Sequence, residues 1–314
     1  MKMPKYSCAV TAILLALCLD SSLMAAGKRV ELRLEVGGRG RTASVYAPAS
    51  AEDGPPCPLV VVLHGHFGSG EQAERSMGFD ALADRFGFVV VYPDGVNRGW
   101  NDGRSDARAA RLRPSAEPVD DVAFLDVLIS RVESAYPIDS QRVYIAGHSN
   151  GAFMANRYAA ERPERVAAVA SVAGTLGTAI LPKLDPRMPV SSLGIWGSAD
   201  RLVPPEGGEV AGQGGEVIGA QALSQWWAAR DGCSGASERA AQGSRVIVKR
   251  YTGCPAGVAV ENAEIVGQGH IWPGTERMTP LLARLIGPDT HAIDAAQLIW
   301  AFFEKHSLPK NPGR

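Results

Sequence analysis

The 314-residue chain is predicted to fold as an α/β protein, with one mostly parallel sheet, helices on both faces and an antiparallel hairpin at the start. Three patterns carry that expectation. Short, continuous apolar runs recur along the chain, as strands buried on both faces require. Segments of helical length, amphipathic or alanine-rich, separate those runs. Near the N-terminus the pattern changes to strict alternation, which belongs to strands with one solvated face.

Residues 1–27 precede this fold and read as a secretory signal peptide. Lys2 and Lys5 give a positive start, residues 8–19 form an apolar run too short to span a bilayer, and Ala25, Ala26 and Gly27 offer small residues for cleavage. Lipid anchoring through Cys18 stays open as a second reading, though Leu17 directly before it suits that processing poorly. Residues 28–314 are expected to form a single domain, exported to the periplasm or the exterior.

Val30, Leu32, Leu34 and Val36 alternate with Glu31, Arg33 and Glu35, and the glycines 37, 38 and 40 then turn the chain into a partner strand at 41–46. After Pro55-Pro56, the run at 58–63 predicts a central strand. A helix over 71–86 and a strand over 88–92 follow. The next helix starts at Pro118 and carries Val122, Leu125, Leu128, Ile129 and Val132 on one side. Strands at 142–146, 166–172, 192–197 and 258–266 are interleaved with helices at 152–160, 220–229 and 294–305. Two segments remain as loops. Residues 95–117 hold Trp100 with Arg98, Arg104, Arg108, Arg111 and Arg113, for which solvation is the plainest role, and 203–219 is rich in glycine. Neither contains the long apolar helix of a lid, so an open site is expected.

A formal net charge of -1 excludes the basic surplus that nucleic-acid binding needs, and no later stretch is apolar and long enough for a membrane helix. The sequence does not give an oligomeric state. Beyond the signal region the cysteines are Cys57, Cys233 and Cys254. Export permits disulfides, and Cys233 with Cys254 is the natural pair because both flank an expected hairpin. Cys57 is left over, before a core strand.

The strongest chemical signal is Gly147-His148-Ser149-Asn150-Gly151, set between a buried strand and an alanine-rich helix. A turn this tight strains the serine, lifts its hydroxyl clear of the sheet at a helix N-terminus, and needs glycines beside it to avoid clashes. A serine hydroxyl needs a base. Of His270, His291 and His306, which follow Ser149, His270 alone lies in a glycine-rich loop after a strand. An acid should come from a strand-end loop between them, and Asp200 in Gly197-Ser198-Ala199-Asp200 fits better than Asp185 or Asp231. Two amides should face the developing oxyanion: that of Asn150, and that of His66 or an immediate neighbour in His64-Gly65-His66-Phe67-Gly68. The imidazoles of His64 and His66 have ligand chemistry, but no third ligand stands at suitable spacing, so no metal is expected.

Leu63-His64-Gly65, Tyr92-Pro93-Asp94-Gly95, Trp100-Asn101-Asp102-Gly103, Val119-Asp120-Asp121-Val122 and Gly147 to Gly151 occur in that order. Gly197 to Asp200, Tyr251-Thr252-Gly253-Cys254 and Gly269-His270-Ile271-Trp272-Pro273-Gly274 complete the set. Together they resemble the polyhydroxybutyrate depolymerase-type esterases, which are similar to the feruloyl and acetyl xylan esterases of carbohydrate esterase family 1. The resemblance implies an α/β-hydrolase fold, no cofactor, and a Ser149, Asp200, His270 triad that hydrolyses carboxylic esters. Such enzymes often have Cys where His66 stands, and those that attack solid polyester add a linker and an adsorption domain. The chain ends at Arg314 without either, which favours soluble oligoesters or plant-wall aryl and acetyl esters. Trp100 and Trp272 flank the proposed site, where they either stack on substrate or pack in the core. Asp120 and Asp121 read as capping or loop-anchoring residues. A serine peptidase on the same fold and a silent polymer-binding protein are the alternatives. The first lacks room for a selecting cap, and the second leaves the complete Ser, Asp, His set unexplained.

Overall fold

The computed structural model describes residues 27–51, 54–104, 119–184, 188–235, 237–242, 245–274 and 280–309. Residues 1–26, which hold Cys18 and all but the last residue of the segment expected to be a signal peptide, lie outside the described residues, as do the arginines 108, 111 and 113 and Asp185.

Strands β1 (Lys28–Val36) and β2 (Arg39–Ala47) form the expected hairpin, paired from Lys28 with Ala47 to Val36 with Arg39. β3 (Cys57–Leu63) leads into α1 (Gly70–Met77), α2 (Phe79–Phe86) and β4 (Val89–Pro93). A single helix was expected across 71–86. Gly78 divides it, because its φ of 77° is left-handed and ends α1. Then come α3 (Asp121–Ala135), β5 (Ile138–His148), α4 (Asn150–Glu161), β6 (Ala168–Val172) and β7 (Ser191–Gly197). The glycine-rich segment is not a bare loop: β8 (Gly207–Glu209) and β9 (Glu216–Ile218) pair within it as a small separate hairpin. Helix α5 (Ala220–Arg230), β10 (Ser237–Gln242), β11 (Val246–Tyr251), β12 (Val260–Ile265), α6 (Pro280–Ile286) and α7 (Ala295–Phe303) complete the described chain. The Cys233–Cys254 disulfide closes the β10–β11 hairpin, and Cys57 is buried, its thiol pushed up by that burial. Among the described residues, no helix is long and apolar enough to cross a membrane.

The large sheet runs β1-β2-β4-β3-β5-β6-β7-β12-β11-β10. Its middle, from β4 to β12, is parallel, and both flanks are antiparallel. The absence of polar alternation in β3 now has its cause. Leu59, Val61 and Leu63 pack toward Leu125, Leu128 and Trp227 on one face, while Val60 and Val62 pack toward Phe79, Ile299 and Phe303 on the other. Each such buried Val or Leu stabilises by roughly 1.5–3 kcal/mol, so both faces demand apolar residues.

The chain leaves β3 toward β4 and returns past it to β5. The loops after β3 and β5 therefore part company, which opens a crevice at the carboxyl ends of those strands. The segments after β7 and β12 reach the same edge, and that edge holds the site.

Candidate active site

Ser149 ends β5 and opens α4 with φ 53° and ψ -119°, a left-handed backbone that a serine adopts only under constraint. Its amide donates to the Val172 carbonyl at 2.9 Å, and its carbonyl accepts from Ala152 and Phe153 at 2.9 and 3.0 Å. The flanking glycines are steric necessities. A Cβ on Gly147 would run into the Gly151 carbonyl, and one on Gly151 into the carbonyls of Leu63 and His64.

His270 Nε2 lies 2.8 Å from Ser149 Oγ, and its Nδ1 lies 2.7 Å from Asp200 Oδ2. An ionised carboxylate only accepts, so the ring proton sits on Nδ1 and donates to Asp200, which leaves Nε2 to accept from the serine hydroxyl. Asp200 is itself fixed, because Oδ1 accepts from the amides of Leu202 and Val203 at 2.8 and 2.9 Å. The His270 amide donates to the Ile286 carbonyl at 2.6 Å, which ties the histidine loop to α6. The three side chains are nearly covered: Ser149 and His270 are each 5% exposed. The other candidates go elsewhere. His306 Nδ1 donates to the Phe302 carbonyl, exposed His291 faces Asp289, and Asp231 accepts from the Val190 amide.

The loop after β3 presses against the serine, since a Cβ on Gly65 would stand 3.4 Å from Ser149 Cβ. His64 holds that loop: its Nδ1 donates to the Gly65 carbonyl at 2.7 Å, and its Nε2 accepts from the Gly95 amide at 3.0 Å. Burial keeps this imidazole neutral by pushing its pKa down. The amides of Phe67 and Gly68 already donate to the carbonyls of Arg98 and Gly65. Among the described residues, no cluster of three His, Cys, Asp or Glu side chains could hold a metal ion.

Trp100 requires a correction. It has no exposed surface: its indole N–H donates to the His64 carbonyl at 2.9 Å and its amide to Asn150 Oδ1 at 2.7 Å. It props the loop from beneath and offers no face to a substrate. Trp272 does line the pocket, but it is only 4% exposed and packs on Phe79 and edge-on to His148. Arg98 and Arg104 are not simply solvated. Arg98 Nε donates to the Gly68 carbonyl, and buried Arg104 pairs with buried Asp102 at 2.6 Å over the Phe153 ring. Asp120 caps α3 through the Ala123 amide, while Asp121 pairs with Arg41 at 2.7 Å and accepts from the Asn101 amide.

Sequence reasoning missed three features of the site. The Asn150 side chain clamps the Trp100 loop, donating to the Trp100 carbonyl and to Asp102 Oδ2 at 3.1 and 2.6 Å. The ring of His148 lies 5.3 Å from that of His270, burial pushes its pKa down to about 3, and its Nε2 has no hydrogen-bond partner among the described residues. Phe67 stands at the pocket wall, 61% exposed. The first was signalled only by an amide side chain directly after the nucleophile. The β8–β9 segment supplies a further wall through Ala211 and Gln213, around a cavity of about 610 Å³.

Residues 35–291 match the family described as "Putative esterase". The "Putative esterase NocK" of Nocardia uniformis subsp. tsuyamanensis is 35% identical over 76% of this chain and 72% of its own length. Feruloyl esterase B of Neurospora crassa is 29% identical over 37% of this chain, and the match spans only 38% of that relative. Among solved structures, an acetyl xylan esterase from Aspergillus awamori aligns with a TM-score of 0.55 over 77% of this chain and 94% of its own, at 16% identity. At that identity the likeness shows the α/β-hydrolase type of fold and nothing finer.

Proposed function

The chain belongs to the "Putative esterase" family and is a carboxylic ester hydrolase, and from that premise we propose that it acts through an acyl-enzyme on Ser149. One observation carries the reading: the unbroken hydrogen-bond line from Ser149 through His270 to Asp200, at 2.8 and 2.7 Å. As the Ser149 oxygen attacks the ester carbonyl, its proton passes to His270 Nε2. Asp200 stabilises the imidazolium that forms. The carbonyl oxygen becomes an oxyanion and takes hydrogen bonds from the amides of His66 and Asn150, the latter at the positive end of α4. His270 returns the proton to the departing alcohol. A water then gives its proton to the same nitrogen and attacks the acyl-enzyme, which releases the acid and restores the serine.

The substrates proposed are hydroxyalkanoate oligoesters, on the sequence resemblance, or feruloyl and acetyl esters of plant polysaccharide, on the names of the relatives. The leader at 1–27 and the Cys233–Cys254 bond support export of a single domain from residue 28 onward to an oxidising compartment. Ser149→Ala is the test. It should abolish turnover of a short p-nitrophenyl ester with the melting temperature unchanged, and activity close to that of the unaltered enzyme would end the proposal.

A further inference from the structure

Phe67 is out of place by every structural criterion. Its φ of 64° is left-handed, a conformation that bulky side chains adopt at a cost and that glycine or asparagine would take readily. The residue is 61% exposed, so burial does not compensate for the strain. The backbone is nonetheless held firmly. The Phe67 amide donates to the Arg98 carbonyl at 2.8 Å, Arg98 itself has a φ of 62°, and its guanidinium returns to the Gly68 carbonyl at 3.3 Å. Two strained turns thus lock each other, and the product of the lock is an aromatic ring presented to the pocket that contains Ser149. The ring of His66 packs against it edge-on at 4.1 Å.

The rest of that pocket tells what the ring is for. Met77, Leu202, Ile271, Trp272 and Ile286 share its wall, and among the described residues no Lys, Arg, Asp or Glu lines it. Its volume of about 610 Å³ lies in the range of sites that enclose a drug-sized ligand, far beyond the needs of an acetyl group. With no Lys or Arg among the described lining residues, a carboxylate-bearing acyl or alcohol group would be desolvated there without a cationic partner in the wall.

We infer that Phe67 is a specificity-determining residue, a fixed apolar platform that selects esters with a bulky, uncharged group on one side of the scissile bond. The inference rests on ester hydrolysis at Ser149. Strain at an exposed aromatic survives because contact with substrate, and not the stability of the fold, requires the ring there.

The test is steady-state kinetics on methyl acetate, methyl 3-phenylpropanoate and benzyl acetate, with the last two placing the bulk on the acyl and the alcohol side respectively. Phe67→Asn removes the ring and suits the left-handed backbone, so its melting temperature should equal or exceed that of the unaltered protein. The KM of at least one bulky ester should rise about tenfold, the size of one lost aromatic contact, while the KM of methyl acetate rises far less. Phe67→Tyr should restore the bulky ester. In the unaltered enzyme, dimethyl succinate should be favoured at least tenfold over monomethyl succinate in kcat/KM. A variant that loses equally on all three esters, or that melts lower, overturns the inference, as does a preference for the charged succinate. If the unaltered enzyme hydrolyses none of these esters, ester hydrolysis at Ser149 fails instead, and the inference falls with it.

Discussion

Asp200→Asn separates the charge of the acid from its position. Asp200 Oδ1 accepts two amides, from Leu202 and Val203 at 2.8 and 2.9 Å, and Oδ2 faces His270 Nδ1 at 2.7 Å. An asparagine of the same shape must keep its carbonyl oxygen on the two amides. The opposite orientation would point an NH₂ at two buried N–H donors, each left unsatisfied at about 1–3 kcal/mol. The NH₂ group therefore faces His270 and donates to Nδ1, which drives the ring proton to Nε2. An imidazole in that tautomer cannot accept the Ser149 proton. The equivalent tautomer change in a worked Ser-His-Asp triad lowers kcat by about 10⁴, or about 5 kcal/mol of barrier, and a loss of that order is expected here. The assay is kcat for p-nitrophenyl acetate at neutral pH beside a thermal melt. A folded variant retaining kcat within about tenfold would show that His270 does not depend on the charge of Asp200, and the assignment of the acid would fall.

Two further predictions concern pH. Burial pushes the Asp231 carboxyl up to about 7, against the partial offset of Arg230 and the Val190 amide. The folded state thus holds the proton more tightly than the unfolded chain, so this contribution to stability is complete below about pH 4 and is lost as pH rises through about 7. Asp231→Asn keeps the acceptor for Val190 and removes the titration. Its stability relative to the unaltered protein in urea melts should climb between pH 4 and 8 by at most a few kcal/mol, and parallel curves would refute the reasoning. His148, with its pKa pushed down to about 3 by burial, is neutral near pH 7 and does not set the acid limb of kcat/KM. His148→Phe should leave the midpoint of that limb in place. A displacement beyond about half a pH unit would mean that His148 carries a proton during turnover.

The central strands were legible because a sheet covered on both faces removes polar alternation altogether, as Leu59 to Leu63 do. The elbow was legible for a different reason, since glycines 147 and 151 are dictated by carbonyls that leave no room for a Cβ. Breaks within regular patterns were harder. The helix pattern runs on past Gly78, and only the left-handed φ of that residue turns one expected helix into two. The β8–β9 hairpin was invisible because three-residue strands are too short to show a period, and Val210 and Val217 are buried against Phe153 rather than in a main core.

Trp100 shows why aromatic residues near a motif mislead. Composition places an indole beside the elbow equally well above the pocket or beneath it. What decides is the polar layer under the loop, where Asn150 holds the Trp100 backbone on both sides and reaches Asp102, which pairs with Arg104. Asp102 and Arg104 are buried polar groups that no periodicity reveals, because a buried ion pair looks like solvated loop in a sequence. The arrangement has a consequence for the chemistry. The residue proposed to give its amide to the oxyanion is anchored by its own side chain to the loop that also supports His64 through Trp100. Both proposed donor segments therefore hang from one buried cluster, and their spacing is fixed before substrate arrives. Stabilisation of a developing charge is greatest when its donors need not reorganise.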